Sequence, residues 1–82
     1  MRIFTVYDTT AAIYGQPFYA VTDGIALRMF SDAVNNNSPD NALNRYPEDF
    51  TLYYIGEFDD ATGSVTGNLT PILVANGVVV KQ

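Results

Sequence analysis

The chain has 82 residues, of which 48% are hydrophobic and 16% charged, and these proportions exclude a disordered acidic tail. Nine acidic and four basic residues give a net charge of −5, and there is no His and no Cys. This composition excludes Cys and His nucleophiles, thiolate or imidazole zinc sites and disulfides. We expect one domain over residues 1–82, with a core at about residues 2–70 and an apolar C-terminal arm at residues 71–82.

The N-terminal quarter of the sequence predicts two strands. Residues 2–8 alternate at the period of a strand, which places Phe4 and Val6 on one face. Residues 9–15 predict a loop or a single helical turn. A second strand is expected over residues 16–21, at an edge or at its own start, because proline at position 17 has no N–H to donate.

Residues 23–35 predict an amphipathic helix. Thr22 is a suitable N-cap, and the apolar residues of the segment fill one continuous arc at the helical period. The centre of that arc carries Ala26, Phe30 and Ala33. Two small residues beside one large ring favour a helix that packs closely on a sheet.

The second half of the sequence predicts a strand at residues 50–58 and a return strand at residues 64–70, joined by a turn rich in Asp and Gly. Asn76-Gly77 lies between two apolar runs and gives a second hairpin signal. The same apolar residues are also consistent with an arm that docks on another chain. The expected fold is therefore α+β: a small antiparallel sheet in the order ββαββ, one helix on one face, and an apolar C-terminal arm or hairpin.

One helix covers only one face of such a sheet. The other face is expected to be too apolar for a solvated surface, so the C-terminal arm, a second copy or a partner should cover it. The residues that we expect to form this partner or self-association surface are Ile3, Tyr7, Tyr19, Tyr53, Ile55, Ile72, Leu73 and Val74.

Two groups of carboxylates are candidate chemical sites. Glu57, Asp59 and Asp60 offer oxygen ligands to a hard cation, but they match no calcium-loop spacing and suit a hairpin turn. Glu48 and Asp49 are adjacent in an extended segment, so their side chains diverge. No nucleophile–base pair is present. We expect no catalytic residue, no metal site and no cofactor, and a protein that is not an enzyme.

The six tyrosines are the most suggestive residues. On a sheet, tyrosines can simply pack, anchor a protein contact or stack on nucleobases. The residues available for contact with nucleic acid are Arg2, Tyr7, Tyr19, Arg28, Arg45 and Tyr53. Because the chain is acidic and its cations are scattered, single-stranded DNA is a disfavoured alternative partner.

No segment of the sequence predicts a membrane span. The longest apolar run, residues 72–80, is interrupted at Asn76-Gly77 and is far shorter than the about 20 residues that a span needs. We therefore expect a soluble protein without a membrane partner. The absence of Cys fits a reducing cytoplasm.

Several segments occur in a familiar order: Tyr7-Asp8, Gln16-Pro17-Phe18, Ala26 to Phe30, Ala33-Val34-Asn35, Tyr46 to Leu52 and Ile55 to Asp59. Over about residues 1–67 the sequence resembles the small non-structural protein of gokushovirus-type microviruses, which are bacteriophages with single-stranded DNA. The Pro-Glu-Asp-Phe segment that leads to Gly-Glu-Phe-Asp is the most specific part of the resemblance.

The resemblance implies a protein of the host bacterial cytoplasm that serves the switch from duplex replication to single-strand synthesis and packaging. It implies no catalytic residue. The acidic charge favours action through a phage replication protein or a host replication factor. We expect a homo-oligomeric accessory protein of phage DNA replication. A single-stranded DNA binder that uses tyrosine stacking and a host-factor-binding module are the alternatives.

Overall fold

The computed structural model describes all 82 residues of the chain. Its elements are β1 (Arg2–Asp8), β2 (Ile13–Tyr14), β3 (Phe18–Ala20), α1 (Asp23–Asn35), α2 (Ala42–Arg45), a 3₁₀ turn (Pro47–Asp49), β4 (Phe50–Asp59), β5 (Ser64–Asn76) and α3 (Gly77–Val80). The fold is α+β with an antiparallel sheet, as expected. The order ββαββ is wrong in detail, because the sheet has five strands and two short helices accompany α1.

The strands lie in the order β2-β1-β4-β5, and β3 also pairs with β1. Tyr14 of β2 pairs with Tyr7, whereas Tyr19 of β3 pairs with Ile3. The two short strands therefore share one edge of β1. The strand expected over residues 16–21 is shorter than predicted, because the chain joins the ladder only after Pro17, which has no N–H to donate, and only Phe18–Ala20 pair. Strand β2 lies instead in the segment that was expected to be a loop or a single helical turn.

Helix α1 begins and ends where the sequence predicts. The Thr22 hydroxyl accepts a hydrogen bond from the Ile25 N–H at 3.2 Å, which satisfies one free donor of the first turn. The helix buries Ala26, Phe30 and Val34, which are four residues apart. Ala33, expected at the centre of the buried arc, is exposed.

The core lies between α1 and one face of the sheet, which we call the core face. Its buried residues are Phe4, Ala20, Ala26, Phe30, Val34, Phe50 and Leu52. Val74 of β5 and Val80 of α3 pack against this cluster from the C-terminal end of the chain. Burial of these apolar side chains is the main source of stability.

The C-terminal segment forms no hairpin at Asn76-Gly77, so this expectation is wrong. Strand β5 continues to Asn76, and its position at the sheet edge accommodates Pro71. The Asn76 side chain then accepts a hydrogen bond from the Val78 N–H at 3.0 Å and starts α3. A Cβ on Gly77 would clash with the Pro47 carbonyl oxygen, so only glycine fits there. The apolar arm thus folds back onto the core side.

A bulge interrupts the long β4–β5 ladder. Tyr54 pairs with Ile72 and Gly56 pairs with Gly67, so residues 68–71 lie opposite Ile55 alone. The ladder between β1 and β4 shifts at the same residue. No helix in the structure has the length and the apolar character needed to cross a bilayer.

Candidate protein-interaction surface

The sheet register places four of the six tyrosines on the face opposite α1. Tyr14 pairs with Tyr7, Tyr53 pairs with Thr5, and Tyr19 pairs with Ile3. Paired residues project to the same side of a sheet, and residues two apart in a strand do so as well. We call this surface the tyrosine face, and its members are Ile3, Thr5, Tyr7, Tyr14, Tyr19, Thr51, Tyr53, Phe58, Val65 and Leu73.

The rings of the tyrosine face form two clusters. Tyr14 lies between Tyr7 and Tyr53, with ring centroids 4.6 Å and 5.9 Å away. Tyr19 meets Phe58 edge-on at 6.1 Å. Such tilted and edge-to-face pairs are the geometries that aromatic rings favour. The face is therefore an ordered aromatic layer.

Two residues beneath this layer are buried although no helix covers them. Ile3 is 7% exposed and Thr5 is 2% exposed. The Thr5 hydroxyl donates a hydrogen bond to the Gly15 carbonyl at 2.8 Å, so its polar group is satisfied. Tyr14 and Tyr19, in contrast, remain 46% and 53% exposed. The layer shields the residues below it and presents its own outer surface to solvent.

The C-terminal arm does not cover the tyrosine face. Of the arm residues assigned to the association surface, Leu73 pairs with Tyr53 and lies on this face. Ile72 pairs with Tyr54 on the core face, and Val74 packs against the core. The C-terminal arm is thus excluded as the cover of the tyrosine face, which leaves a second copy of the chain or a different partner.

Sequence reasoning missed two aromatic members of the tyrosine face. Tyr14 fell in a segment expected to be a loop, because only two residues of β2 are paired. Strict alternation over residues 50–58 would place Phe58 on the same face as Leu52, but the bulge at Ile55 reverses the alternation. An aromatic residue directly before Gly-Gln-Pro could have indicated that Tyr14 ends a short strand. No local sequence feature indicates the bulge at Ile55.

The tyrosine face carries no charged side chain, although the chain has nine acidic and four basic residues. The charged residues of the strands are Arg2, Asp8, Glu57 and Asp59, and alternation places them on the core face. The remaining ones lie in helices, turns and the last two residues. Charge is thus segregated to one side of the molecule and to its loops.

The three arginines considered for nucleic-acid contact lie away from the tyrosine face. Arg2 forms an ion pair with Asp23 at 2.9 Å and lies 3.8 Å from a Glu57 oxygen. Arg28 is exposed on α1, and Arg45 lies over the Tyr46 ring, 5.4 Å from its centroid. The structure therefore brings Tyr7 and Tyr53 together around Tyr14, places Tyr19 in the second cluster, and separates all of them from the cations.

The charged side of the sheet contains one perturbed group. The Tyr54 hydroxyl donates a hydrogen bond to the Glu57 carboxylate, and this bond, with some desolvation, raises the pKa of Tyr54 above its ordinary value. Among the 82 residues, no three Asp or Glu side chains are grouped closely enough to hold a metal ion. Asp59 instead accepts a hydrogen bond from the Ala61 N–H at 2.9 Å, as a turn residue does.

Comparison with known proteins adds sequence relatives. The family model described as Phage ORF5 protein matches residues 1–80. Protein ORF5 of Chlamydia phage 1 is 40% identical over 65 residues, which represent 77% of this chain and 68% of the relative. No solved structure matches the chain.

Proposed function

The chain belongs to the Phage ORF5 protein family, which confirms its resemblance to the gokushovirus-type proteins, and from this membership we propose that it is a non-enzymatic accessory protein of a single-stranded DNA phage. It acts in viral DNA replication, at the switch to single-strand synthesis and packaging. It works in the host bacterial cytoplasm through contacts with copies of itself and with a phage replication protein or a host replication factor.

The observation that carries the proposed action through protein contacts is the uncharged, aromatic tyrosine face. Protein interfaces are depleted of charged residues at their centre and enriched in tyrosine, and tyrosine is frequent among the residues that dominate binding energy. The half-exposed rings of Tyr14 and Tyr19 stand on a regular sheet and are held by their aromatic neighbours. A rigid surface of this kind loses little conformational entropy when it binds.

The charge distribution supports a protein partner over single-stranded DNA. Proteins that bind single strands combine stacking rings with cations that follow the backbone. On this chain the tyrosine face has rings but no cation, and Arg2 is already paired with Asp23. The net charge of −5 opposes the approach of phosphates.

Two neighbouring residues of β5 allow a matched test in infected cells. Leu73 lies on the tyrosine face and is 63% exposed, whereas Ile72 lies on the other face and is 51% exposed. We expect Leu73→Asp in the phage genome to lower the ratio of single-stranded to duplex viral DNA several-fold, because it places a carboxylate in an uncharged contact. Ile72→Asp should leave the ratio near the wild-type value. Strand-specific quantitative PCR measures it.

An unchanged strand ratio in the Leu73→Asp phage, with the protein still folded, would contradict the proposal. The DNA-binding alternative is tested separately with purified protein and a labelled oligothymidine. We expect no change in fluorescence anisotropy at low salt. Binding that Tyr53→Ala abolishes would support direct stacking on DNA instead.

A further inference from the structure

We propose that the tyrosine face is closed by the same face of a second copy of the chain, so that two sheets stack about a two-fold axis. This inference deepens the proposed function and rests on it in one respect: both require the tyrosine face to be a protein contact. Stacked sheets lie about 10 Å apart and interdigitate their side chains, which would bury the rings now half exposed.

Charge segregation is the first argument for a second copy. Each chain carries a net charge of −5, so two copies repel one another wherever acidic surfaces meet. Stacking through the tyrosine face avoids this repulsion, because every charged residue lies on the core face, in a helix or in a loop. A basic partner would be attracted to those acidic regions, and a phosphate backbone would find no cation on the tyrosine face. The neutral surface fits another neutral surface.

The size of the face is the second argument. At its widest the sheet has four strands side by side, and β1 has seven residues. With about 4.8 Å between strands and about 3.3 Å per residue, the patch measures roughly 19 by 23 Å. Two such patches supply about 900 Å² of flat area before the relief of the rings is counted, whereas the smallest stable interfaces bury about 1,200 Å². The rings of Tyr14 and Tyr19 are about half exposed and project from the sheet, so their surfaces add to this flat area.

The outer edge of β5 is the competing site for a second copy. Residues 61–80 contain no charged residue, and Leu69 on this edge is fully exposed. An edge without charges can pair with another strand. The bulge at residues 68–71 and the missing N–H of Pro71, however, interrupt the ladder that such pairing would extend. Contact through the tyrosine face uses side chains and needs no regular ladder, so this face is the better surface for self-association.

Single-cysteine variants distinguish the two arrangements, because the natural chain has no cysteine. Leu73→Cys marks the tyrosine face, Ile72→Cys its opposite side, and Leu69→Cys the edge of β5. With a short bis-maleimide reagent at micromolar protein, we expect a covalent dimer from Leu73→Cys and at most a tenth of that yield from the other two. Sedimentation equilibrium of the unmodified protein should give twice the chain mass of 9.0 kDa.

Leu73→Asp should sediment as a monomer while its far-ultraviolet circular dichroism stays native, and Ile72→Asp should sediment as a dimer. Preferential crosslinking through Leu69→Cys, or a wild-type monomer at all accessible concentrations, would overturn the inference. If the wild type is monomeric but Leu73→Asp still lowers the strand ratio in cells, the face contacts a different protein and only the dimer fails. If the dimer forms but Leu73→Asp leaves the ratio of single-stranded to duplex DNA unchanged, the dimer is supported and the proposed function is contradicted.

Discussion

Both faces of this sheet bury residues of the central strands, but different parts of the chain cover them. On the core face, Phe4 and Leu52 are completely buried beneath α1. On the tyrosine face, Ile3 and Thr5 are buried nearly as well, but under side chains of the sheet itself. The arrangement on the core face produces a closed core. The arrangement on the tyrosine face leaves an exposed aromatic surface that is apolar enough to bind another protein.

The residue types explain the difference. Ala20 and Ala26 are small, so α1 can approach the sheet closely and exclude water from the core face. Tyrosine carries a hydroxyl that needs water or a hydrogen-bond partner, so rings such as Tyr14 stay at a boundary where one end is wet. Sheet faces built from Phe and Ala are completed within the chain, whereas a face built from Tyr is suited to completion by association.

The largest expected effect separates the two faces by stability. Phe30 is 2% exposed, and Phe30→Ala should lower the free energy of unfolding by about 3–5 kcal/mol, since it leaves a cavity under α1. Tyr14→Ala removes two ring contacts at a half-exposed site and should cost only about 1 kcal/mol. Urea denaturation at low protein concentration measures both. Equal costs would show that the tyrosine face is as much a core as the other.

Adding a methyl group at either of two glycines should also change stability differently on the two sides of the sheet, by a smaller amount. Gly77→Ala should cost about 1–3 kcal/mol, because its new methyl group would displace α3 from the Pro47 carbonyl on the core side. Gly67 on the tyrosine face has no atom within 4 Å of the position that a methyl group would occupy, so Gly67→Ala should change stability by at most about 0.5 kcal/mol. Thermal denaturation tests the pair. A destabilised Gly67→Ala monomer would mean that the open face is more tightly packed than its exposure indicates.

The smallest effect concerns the charged side alone. Because the Glu57 hydrogen bond favours the neutral phenol, the pKa of Tyr54 is higher in the folded protein than in the unfolded chain. The stability that this bond contributes is therefore complete below about pH 10 and is lost as pH rises through the raised pKa. In an absorbance titration of tyrosinate, Tyr54→Phe should remove absorbance that develops above the ordinary tyrosine pKa of about 10. Loss of absorbance that develops below that pH would contradict the raised pKa of Tyr54.

The best-predicted elements are those with local signals. Strand β1 and helix α1 begin and end where the sequence places them. Alternation fixes the strand, and the Thr22 cap with its apolar arc fixes the helix. The turn before Ser64 was predicted from Asp and Gly for the same reason, since turn chemistry is read over a few residues.

The elements that escaped prediction depend on distant contacts. The run Val78-Val79-Val80 has the composition of a strand, yet it is helical because Asn76 caps it and Gly77 fits against Pro47. The bulge at Ile55 depends on two neighbouring strands at once. Sequence periodicity carries no information about either, because both are decided by which segments meet in space.

The candidate surface was predicted in outline and corrected in detail. Tyr7 and Tyr53 lie on the face opposite α1, as expected, and Leu73 joins them. Ile72 lies on the other side because it alternates with Leu73 along β5, and Val74 packs against the core. The absence of charge from this face depends on the register of every strand, and only the assembled sheet reveals it.

The central position of β1 has a consequence for how the chain folds. Its ladder with β4 joins Arg2 to Glu57 and encloses the whole of α1, whereas β4 and β5 are joined by a tight turn between Asp59 and Ser64. Closing a long loop costs more entropy than closing a short one, and topologies rich in distant pairs fold slowly. We therefore expect the β4–β5 hairpin to form before β1 pairs with β4, and the later pairing to limit the folding rate.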